Sequence, residues 1–438
     1  MGLFGTDGVR GRANDDLTPE LALALGSAAV RVLGAGRPRP RVVIGTDPRP
    51  SGPMLRDAFA AGATSAGADV IRLGVVPTAL VAFAARDADL GVMVTASHNP
   101  APDNGIKLFG RGGRKLTDAE ESAVEVAIGT PWTRPTGGDV GVVAGCDGSD
   151  AEAYVADLLT VAPKGLDRLR IVVDCANGAA SGTAPQVYEQ AGAEVIAINA
   201  FAGAINDGCG ATHLEPLRAA VRTHAAHVGI AHDGDADRCL AVDADGDVVD
   251  GDQILAILAL ALREQGRLTH DTVVSTVMAN LGFHHAMRAH GITVVATPVG
   301  DRNVLEAMQA GGFVLGGEQS GHVIVLDEAP TGDGIRTALH LLAAVAGSGR
   351  PLAELAAVVQ RLPQVLVNVR SSAPAKEVAG RAAVAAAVRA AEAALADRGR
   401  VLVRASGTEP LVRVMVEAPT DDEAERVAAT IAAVVEGA

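Results

Sequence analysis

RVVIGTDPRPSGPMLRDAFAAGATSAGADVIRL, residues 41–73, decides the fold. Arg41–Ile44 is a short run of Val and Ile, the composition of a buried strand. Gly52–Gly67 is an Ala-rich stretch of helical length, and Val70–Leu73 is a second β-branched run. Strand, helix and strand in so short a span read as a βαβ unit, which places two parallel strands under a covering helix. Leu90–Val94 adds another strand. The same alternation returns at Arg170–Asp174, Pro185–Ala191 and Glu194–Ile198, and again at Thr272–Thr276, Gly282–His290 and Thr293–Ala296. Breaks rich in Gly, Pro and Asp fall at Gly129–Asp150, Ala244–Gly251, Gly347–Pro351 and Leu362-Pro363. Beyond Pro363 the pattern changes. Gln364–Arg370 alternates as a strand, Lys376–Arg398 reads as one Ala-rich helix, Arg400–Glu417 holds two β runs around a Gly turn, and a last helix covers Asp421–Val435. The expectation is an α/β protein in four segments, 1–148, 149–248, 249–362 and 363–438, the last of α+β type.

The composition bounds the rest. The chain has 438 residues, 48% of them hydrophobic and 20% charged, enough to fill several cores and too apolar for disorder. Aromatic residues are 2% of the chain, so those cores are built from Ala, Val, Leu and Ile. The longest apolar run, Ile254–Leu262, is far short of the ~20 residues that span a bilayer. No basic stretch precedes an apolar one at the N-terminus, which argues against a secretory signal. The four cysteines, Cys146, Cys175, Cys209 and Cys239, form no CxxC pair and are expected as buried thiols in a reducing, cytoplasmic setting. A net charge of −15 repels nucleic acid, so neither nucleic acid nor membrane is an expected partner.

Five loops carry residues suited to chemistry. Thr95-Ala96-Ser97-His98-Asn99-Pro100 leaves a strand at its carboxyl end, where α/β sheets present ligands, and Ser97 can serve as nucleophile or phosphate carrier. In His232-Asp233-Gly234-Asp235-Ala236-Asp237-Arg238, three carboxylates at alternate positions invite a hard divalent cation, Mg²⁺ above all. An EF-hand does not fit, because Arg238 stands where Gly is needed and Ala244 where Glu is needed. Asp243, Asp245 and Asp247 surround Gly246 and read as a plain turn. Gly316-Gly317-Glu318-Gln319-Ser320-Gly321-His322 alternates small and polar residues and can offer Glu318 and Ser320 to sugar hydroxyls. Arg404-Ala405-Ser406-Gly407-Thr408-Glu409-Pro410, with Arg413, combines arginines, hydroxyls and a Gly-backed turn into a phosphate cradle. Gly5-Thr6-Asp7-Gly8-Val9-Arg10-Gly11 is a further Gly-rich loop with one arginine. There is no Walker A motif, no G-x-G-x-x-G opening a helix and no H-E-x-x-H.

These five motifs, taken in chain order over Gly2 to about Glu417, resemble the α-D-phosphohexomutase superfamily, and most closely its bacterial glucosamine-phosphate members. The resemblance implies four domains around a central cleft, three related α/β domains with mixed sheets and a C-terminal α+β domain. It implies a phosphoserine at Ser97 and Mg²⁺ held by Asp233, Asp235 and Asp237 with that phosphoserine. Arg10, His98 and Arg238 would stand near it. Lys107, in Asp103-Asn104-Gly105-Ile106-Lys107, matches the general acid/base position and would need a lowered pKa to act as base. Glu318 and Ser320 match the sugar loop, with His322 close to the chemistry, and Arg302 a further specificity element. Arg404, Ser406, Gly407, Thr408 and Arg413 match the grip on the phosphate that is not transferred. The implied reaction interconverts a hexosamine 6-phosphate and 1-phosphate, with glucose or glucosamine 1,6-bisphosphate as primer and intermediate. A homodimer and a priming kinase are the partners that relatives suggest. The competing readings are a phosphomannomutase/phosphoglucomutase, a Mg²⁺-dependent sugar phosphatase and a non-catalytic sugar-phosphate binder.

Overall fold

The computed structural model describes residues 2–5, 7–161, 165–370, 373–405 and 411–437. They form two compact units, one of residues 1–278 and 292–358, the other of 279–291 and 359–438.

The first unit contains three sheets. The first runs Val9–Arg12, Asp103–Gly110, Leu90–Val94, Arg41–Thr46, Asp69–Val75, Val143–Gly145. The second runs Val248–Val249, Leu240–Asp243, Val228–Ala231, Arg170–Asp174, Glu194–Ile198, and the third Thr293–Thr297, Thr272–Thr276, Leu315–Gly317, Val323–Val325. All three share a four-strand plan. A parallel pair, Arg41–Thr46 with Asp69–Val75 in the first, stands beside a third parallel strand, and that strand turns back into an antiparallel neighbour. Arg170–Asp174, Glu194–Ile198, Val228–Ala231 and Leu240–Asp243 repeat the plan, and the third sheet repeats it again. The sheets are therefore mixed.

The central strands are apolar throughout because both faces are covered. Leu90–Val94 and Val228–Ala231 are buried at every position. Two helices of the first layer, Pro19–Leu33 and Gly52–Ser65, cross at Gly26 and Gly62. A Cβ at Gly26 would meet the Phe59 carbonyl oxygen at 2.2 Å, and one at Gly62 the Leu23 carbonyl oxygen at 2.0 Å, so only glycine permits this approach.

Several expectations need correction. The break at Gly129–Asp150 contains the edge strand Val143–Gly145, which is exposed at all three positions and so carries no alternation to read. The Ala-rich helix expected at Lys376–Arg398 is two, Ala375–Ala379 and Ala382–Leu395, because Gly380 ends the first. Cys175, Cys209 and Cys239 are buried and unpaired, whereas Cys146 is exposed just past that edge strand. In the second unit, Gln364–Arg370, Leu411–Glu417 and Arg400–Ala405 form an antiparallel sheet packed on the helix Asp421–Glu436. Among the described residues no helix is long and apolar enough to cross a membrane.

A buried ion network braces the first unit. The Arg336 guanidinium, its side chain 4% exposed, pairs with Asp157, with Glu328 at 3.2 Å and with Asp333 at 3.5 Å. Tyr154 donates to Asp333 at 2.9 Å, and His340 pairs with Glu328 at 2.9 Å. Arg336→Leu strands these carboxylates and is expected to cost about 3–5 kcal/mol, read by denaturant unfolding. A loss below ~1 kcal/mol would refute the network's role. Burial alone would raise Glu328, but His340, Arg267 and Arg336 outweigh it and hold its pKa at about 2 against an ordinary 4.5. Its folded value is depressed, so its contribution is complete above pH 4.5 and disappears as pH falls toward 2. Glu328→Gln should flatten the stability loss in that window.

Candidate active site

Within the first unit, the three sheets present their turn loops at equivalent places. Residues 95–102, 232–239 and 318–322 each join the third parallel strand to its antiparallel neighbour. Backbone bonds anchor the second loop to the third and to neighbouring segments. Thr78 N–H donates to the Asp235 carbonyl at 3.0 Å, Cys239 N–H to Gly321 at 2.9 Å, and Gly334 N–H to Ala236 at 3.0 Å.

Ser97 is buried, and its φ of 52° is left-handed, an unusual state for a residue with a Cβ. Its amide donates to Thr95 Oγ1 at 2.9 Å, and Thr95 donates to Asp47 Oδ2 at 2.7 Å. This geometry sends Ser97 Oγ to Asp233 Oδ2, 2.6 Å away. The acidic loop passes so close that a Cβ on Gly234 would lie 2.6 Å from the Ser97 carbonyl oxygen. Ala236, beside it, also adopts a left-handed φ of 59°.

Asp233, Asp235 and Asp237 are all buried, and one carboxylate oxygen from each lies within 4.8 Å of the others. Burial raises the Asp233 pKa well above its ordinary value, and Asp237 and Asp235 add to the rise. For Asp237, burial is outweighed by Lys107, His322 and Arg238, and the pKa falls. Asp235 Oδ1 and Asp237 Oδ1 are buried without a hydrogen-bond partner. Three converging carboxylates, two of them with an oxygen that has no hydrogen-bond partner, beside a serine hydroxyl fit a divalent cation of the Mg²⁺ kind.

Lys107 lies on Asp103–Gly110, antiparallel to Leu90–Val94. Its Nζ is 2.9 Å from Asp235, 3.1 Å from Asp237 and 3.0 Å from Asp7. Burial acts to lower its pKa, but these carboxylates prevail and raise it well above the ordinary value. The lowered pKa expected for a base is therefore absent, and Lys107 stands as a cation.

His322 lies 3.7 Å from Asp237 and 3.7 Å from Asp301, and those partners raise its pKa against the pull of burial. His98 Nδ1 is 3.4 Å from Ser97 Oγ. Burial, with Arg238 and Arg10, lowers its pKa to about 4 and keeps it neutral. Arg10 pairs with Asp7, while Arg10 Nε and Arg238 Nε are buried without hydrogen-bond partners, as arginines awaiting an anion would be. Glu318 Oε1 accepts from Gly300 N–H at 3.1 Å, and Ser320 Oγ is buried with no partner.

Arg302 is paired with Asp118 and Glu121 of the helix Asp118–Gly129. Arg404 and Arg413 face each other across the Arg400–Ala405 and Leu411–Glu417 strands. Burial and Arg413 lower the Arg404 pKa. Ser406, Gly407 and Thr408 lie outside the described residues.

The sequence reading gave no role to Asp7, Asp47, Arg49, Thr78, Lys115, Asn206 or Asp301. Asp7 and Asp301 share Lys115, which sits between them. Thr78 donates to Asp235 Oδ2 at 2.6 Å. The available signal was Asp47-Pro48-Arg49-Pro50-Ser51, a polar run leaving a buried strand at the same sheet edge as Ser97.

A buried serine against a buried acidic trio, with cations around it, is an arrangement suited to phosphoryl transfer. Models of the phosphoglucomutase/phosphomannomutase family match throughout: α/β/α domain I at residues 1–131, domain II at 152–246, domain III at 250–362 and the C-terminal domain at 366–434. The chain is 61% identical to the phosphoglucosamine mutase of Frankia alni, over 100% of this chain and 98% of that one. It is 60% identical to that of Saccharopolyspora erythraea, over 99% and 98%. Among solved structures it resembles a phosphoglucomutase/phosphomannomutase family protein from Burkholderia thailandensis, with a TM-score of 0.80, 24% identity and coverage of 99% and 97%. It also resembles the Aspergillus fumigatus N-acetylphosphoglucosamine mutase in complex with GlcNAc-6P and magnesium, with a TM-score of 0.70, 20% identity and coverage of 99% and 95%. The chain belongs to the phosphoglucomutase/phosphomannomutase family, and within it to the phosphoglucosamine mutases, which are isomerases.

Proposed function

We propose that the chain interconverts glucosamine 6-phosphate and glucosamine 1-phosphate through a phosphorylated Ser97 and a 1,6-bisphosphate intermediate, feeding UDP-N-acetylglucosamine and cell-wall precursor synthesis. The observation that carries this reading is Ser97 Oγ held 2.6 Å from Asp233, inside an acidic trio that faces a buried lysine. Segments 1–148, 149–248, 249–362 and 363–438 supply the phosphoserine, the metal loop, the sugar loop and the phosphate grip.

In the forward step the bond between phosphorus and Ser97 Oγ breaks and one forms to the free sugar hydroxyl. The hydroxyl proton leaves, and Ser97 Oγ gains one. The intermediate then turns and returns its other phosphate to Ser97. Phosphoryl transfer passes through a loose transition state, so positioning and charge matter more than a strong base. Lys107, kept cationic, suits charge neutralisation and proton donation to the departing serine oxygen. His98, kept neutral beside Ser97, suits proton acceptance. Arg10 and Arg238 offer phosphate oxygens Nε donors that make no hydrogen bond within the described residues. Glu318 and Ser320 take sugar hydroxyls, and Arg404 and Arg413, with Ser406, Gly407 and Thr408, are assigned the phosphate that stays. Asp233, Asp235 and Asp237 would hold Mg²⁺, which when bound neutralises phosphate charge.

Purified, fully dephosphorylated protein should require a primer such as glucose 1,6-bisphosphate, or a kinase, before it turns over. Full activity without one would sink the phosphoserine route. Release of free phosphate would favour a phosphatase, and faster turnover of glucose or mannose phosphates would favour the other mutases. Asp235→Asn should raise the Mg²⁺ concentration for half-maximal activity by about tenfold or more. An unchanged metal titration would remove the trio's assignment.

A further inference from the structure

We infer that Arg49 and Asn206 are positioning residues, which grip the Ser97 turn from its two sides and aim the serine hydroxyl at Asp233. The inference rests on the phosphoserine reading above.

Arg49 is 1% exposed, yet each of its guanidinium hydrogens has an acceptor. Its Nε donates to Asp47 Oδ2 at 2.9 Å. One terminal nitrogen donates to the carbonyls of Pro100 at 2.5 Å and Asp103 at 2.9 Å, the other to those of Ser97 at 3.0 Å and Asn99 at 2.8 Å. Four bonds therefore go to three carbonyls of the turn and to that of Asp103, where the next strand begins. Asn206 reaches the same turn from the second sheet's domain. Its Nδ2 donates to Ser97 O at 2.8 Å and to Asn99 O at 3.0 Å. Its own backbone is tied by N–H to the Ala176 carbonyl at 2.9 Å. Asp47 completes the frame, since it holds Arg49 on one side and, through Thr95 Oγ1, the Ser97 amide on the other.

The physical need is plain. Ser97 is left-handed at φ 52°, an unfavourable state for a residue with a Cβ. Its carbonyl must point into protein for Oγ to face the acidic trio, and a buried carbonyl needs donors. Two donors from two domains on each of two carbonyls meet both needs. Only a planar fork can satisfy four carbonyls and a carboxylate at once, and an ammonium cannot. Neither side chain bonds to Ser97 Oγ, so both act through the backbone.

The test uses the full chain with Mg²⁺, following transfer of label from ³²P-labelled glucose 1,6-bisphosphate to Ser97 and steady-state turnover of glucosamine 6-phosphate. Arg49→Lys and Asn206→Ala should each slow labelling and kcat by about 10²-fold, the cost of a hydroxyl misplaced by ~1 Å, with KM changed less than about threefold. The double variant should lose much less than the product of the two, because both act on the same carbonyls. Asn206→Ala leaves the Asp47–Arg49 pair intact, so it decides the matter even if Arg49→Lys does not fold. Labelled wild type with an undiminished, folded Asn206→Ala, or a loss confined to KM, overturns the positioning role. A wild type that takes no label on Ser97 overturns the phosphoserine reading itself.

Discussion

Ser97→Ala is expected to reduce turnover on the order of 10⁴-fold or more while leaving the fold intact. The oxygen it removes is the one placed against Asp233, and the two nearby hydroxyls of Thr95 and Thr78 are committed elsewhere, Thr95 Oγ1 to Asp47 and Thr78 Oγ1 to Asp235. When a covalent carrier is lost, what survives is binding and charge stabilisation, and the covalent route is closed. Alanine keeps the Cβ, so the left-handed turn and its carbonyl bonds persist. Intact-protein mass and peptide mapping after incubation with Mg²⁺ and glucose 1,6-bisphosphate provide the check. The parent should gain one phosphoryl group, ~80 Da, on the Ser97 peptide, and the variant none. A variant still phosphorylated and active would remove Ser97 from the mechanism.

Lys107→Met should give the other large effect, on stability as well as rate. Lys107 Nζ is the shared partner of Asp7, Asp235 and Asp237, and its side chain is 5% exposed. Methionine fills similar space without charge, so Asp235 loses its one ion pair, while Asp7 keeps Arg10 and Lys115 and Asp237 keeps only His322 and Arg238 among the described residues. The expected cost in chelator is about 3–5 kcal/mol, and turnover should fall by roughly 10²–10⁴. Mg²⁺ should restore much of the stability by supplying the missing positive charge. Without the lysine, the crowded carboxylates bind protons more tightly folded than unfolded, so the penalty should ease as pH falls. Thermal unfolding with and without Mg²⁺, at pH 8 and pH 5.5, tests all three points. A variant as stable as the parent in chelator would show that the lysine neutralises nothing.

Much of this was legible along the chain because it is local. The βαβ alternation is written in runs such as Arg41–Ile44 and Arg170–Asp174, whose apolar continuity follows from burial on both faces. The acidic loop is legible because three carboxylates stand at alternate positions directly after an apolar strand, although only their burial separates them from the equally spaced Asp243, Asp245 and Asp247. The Asp243–Asp247 turn proved to be a plain one, with Asp243 Oδ1 accepting from the Asp245 and Asp247 amides. The edge strand Val143–Gly145 was not legible, since a short exposed strand takes its identity from its pairing to Asp69–Val75.

Residue type, spacing and periodicity thus suffice to place Ser97 at a strand exit, to put three aspartates on one loop and to show four segments. They do not specify that the first three segments share one strand plan, so that three site loops occupy equivalent turns, because no common residues mark those turns. Nor do they say that the Lys107 pKa is raised rather than lowered. Its protonation depends on Asp7, Asp235 and Asp237, up to 130 residues away in the chain and brought within about 3 Å by packing. Arg49 and Arg302 make the same point. As sequence they are two arginines near turns, but one satisfies five acceptors around the Ser97 turn and the other is spent on Glu121 and Asp118. A side chain's type sets what it can bond. Which partners lie within reach, and with how little water between, is set only once the chain has folded around it.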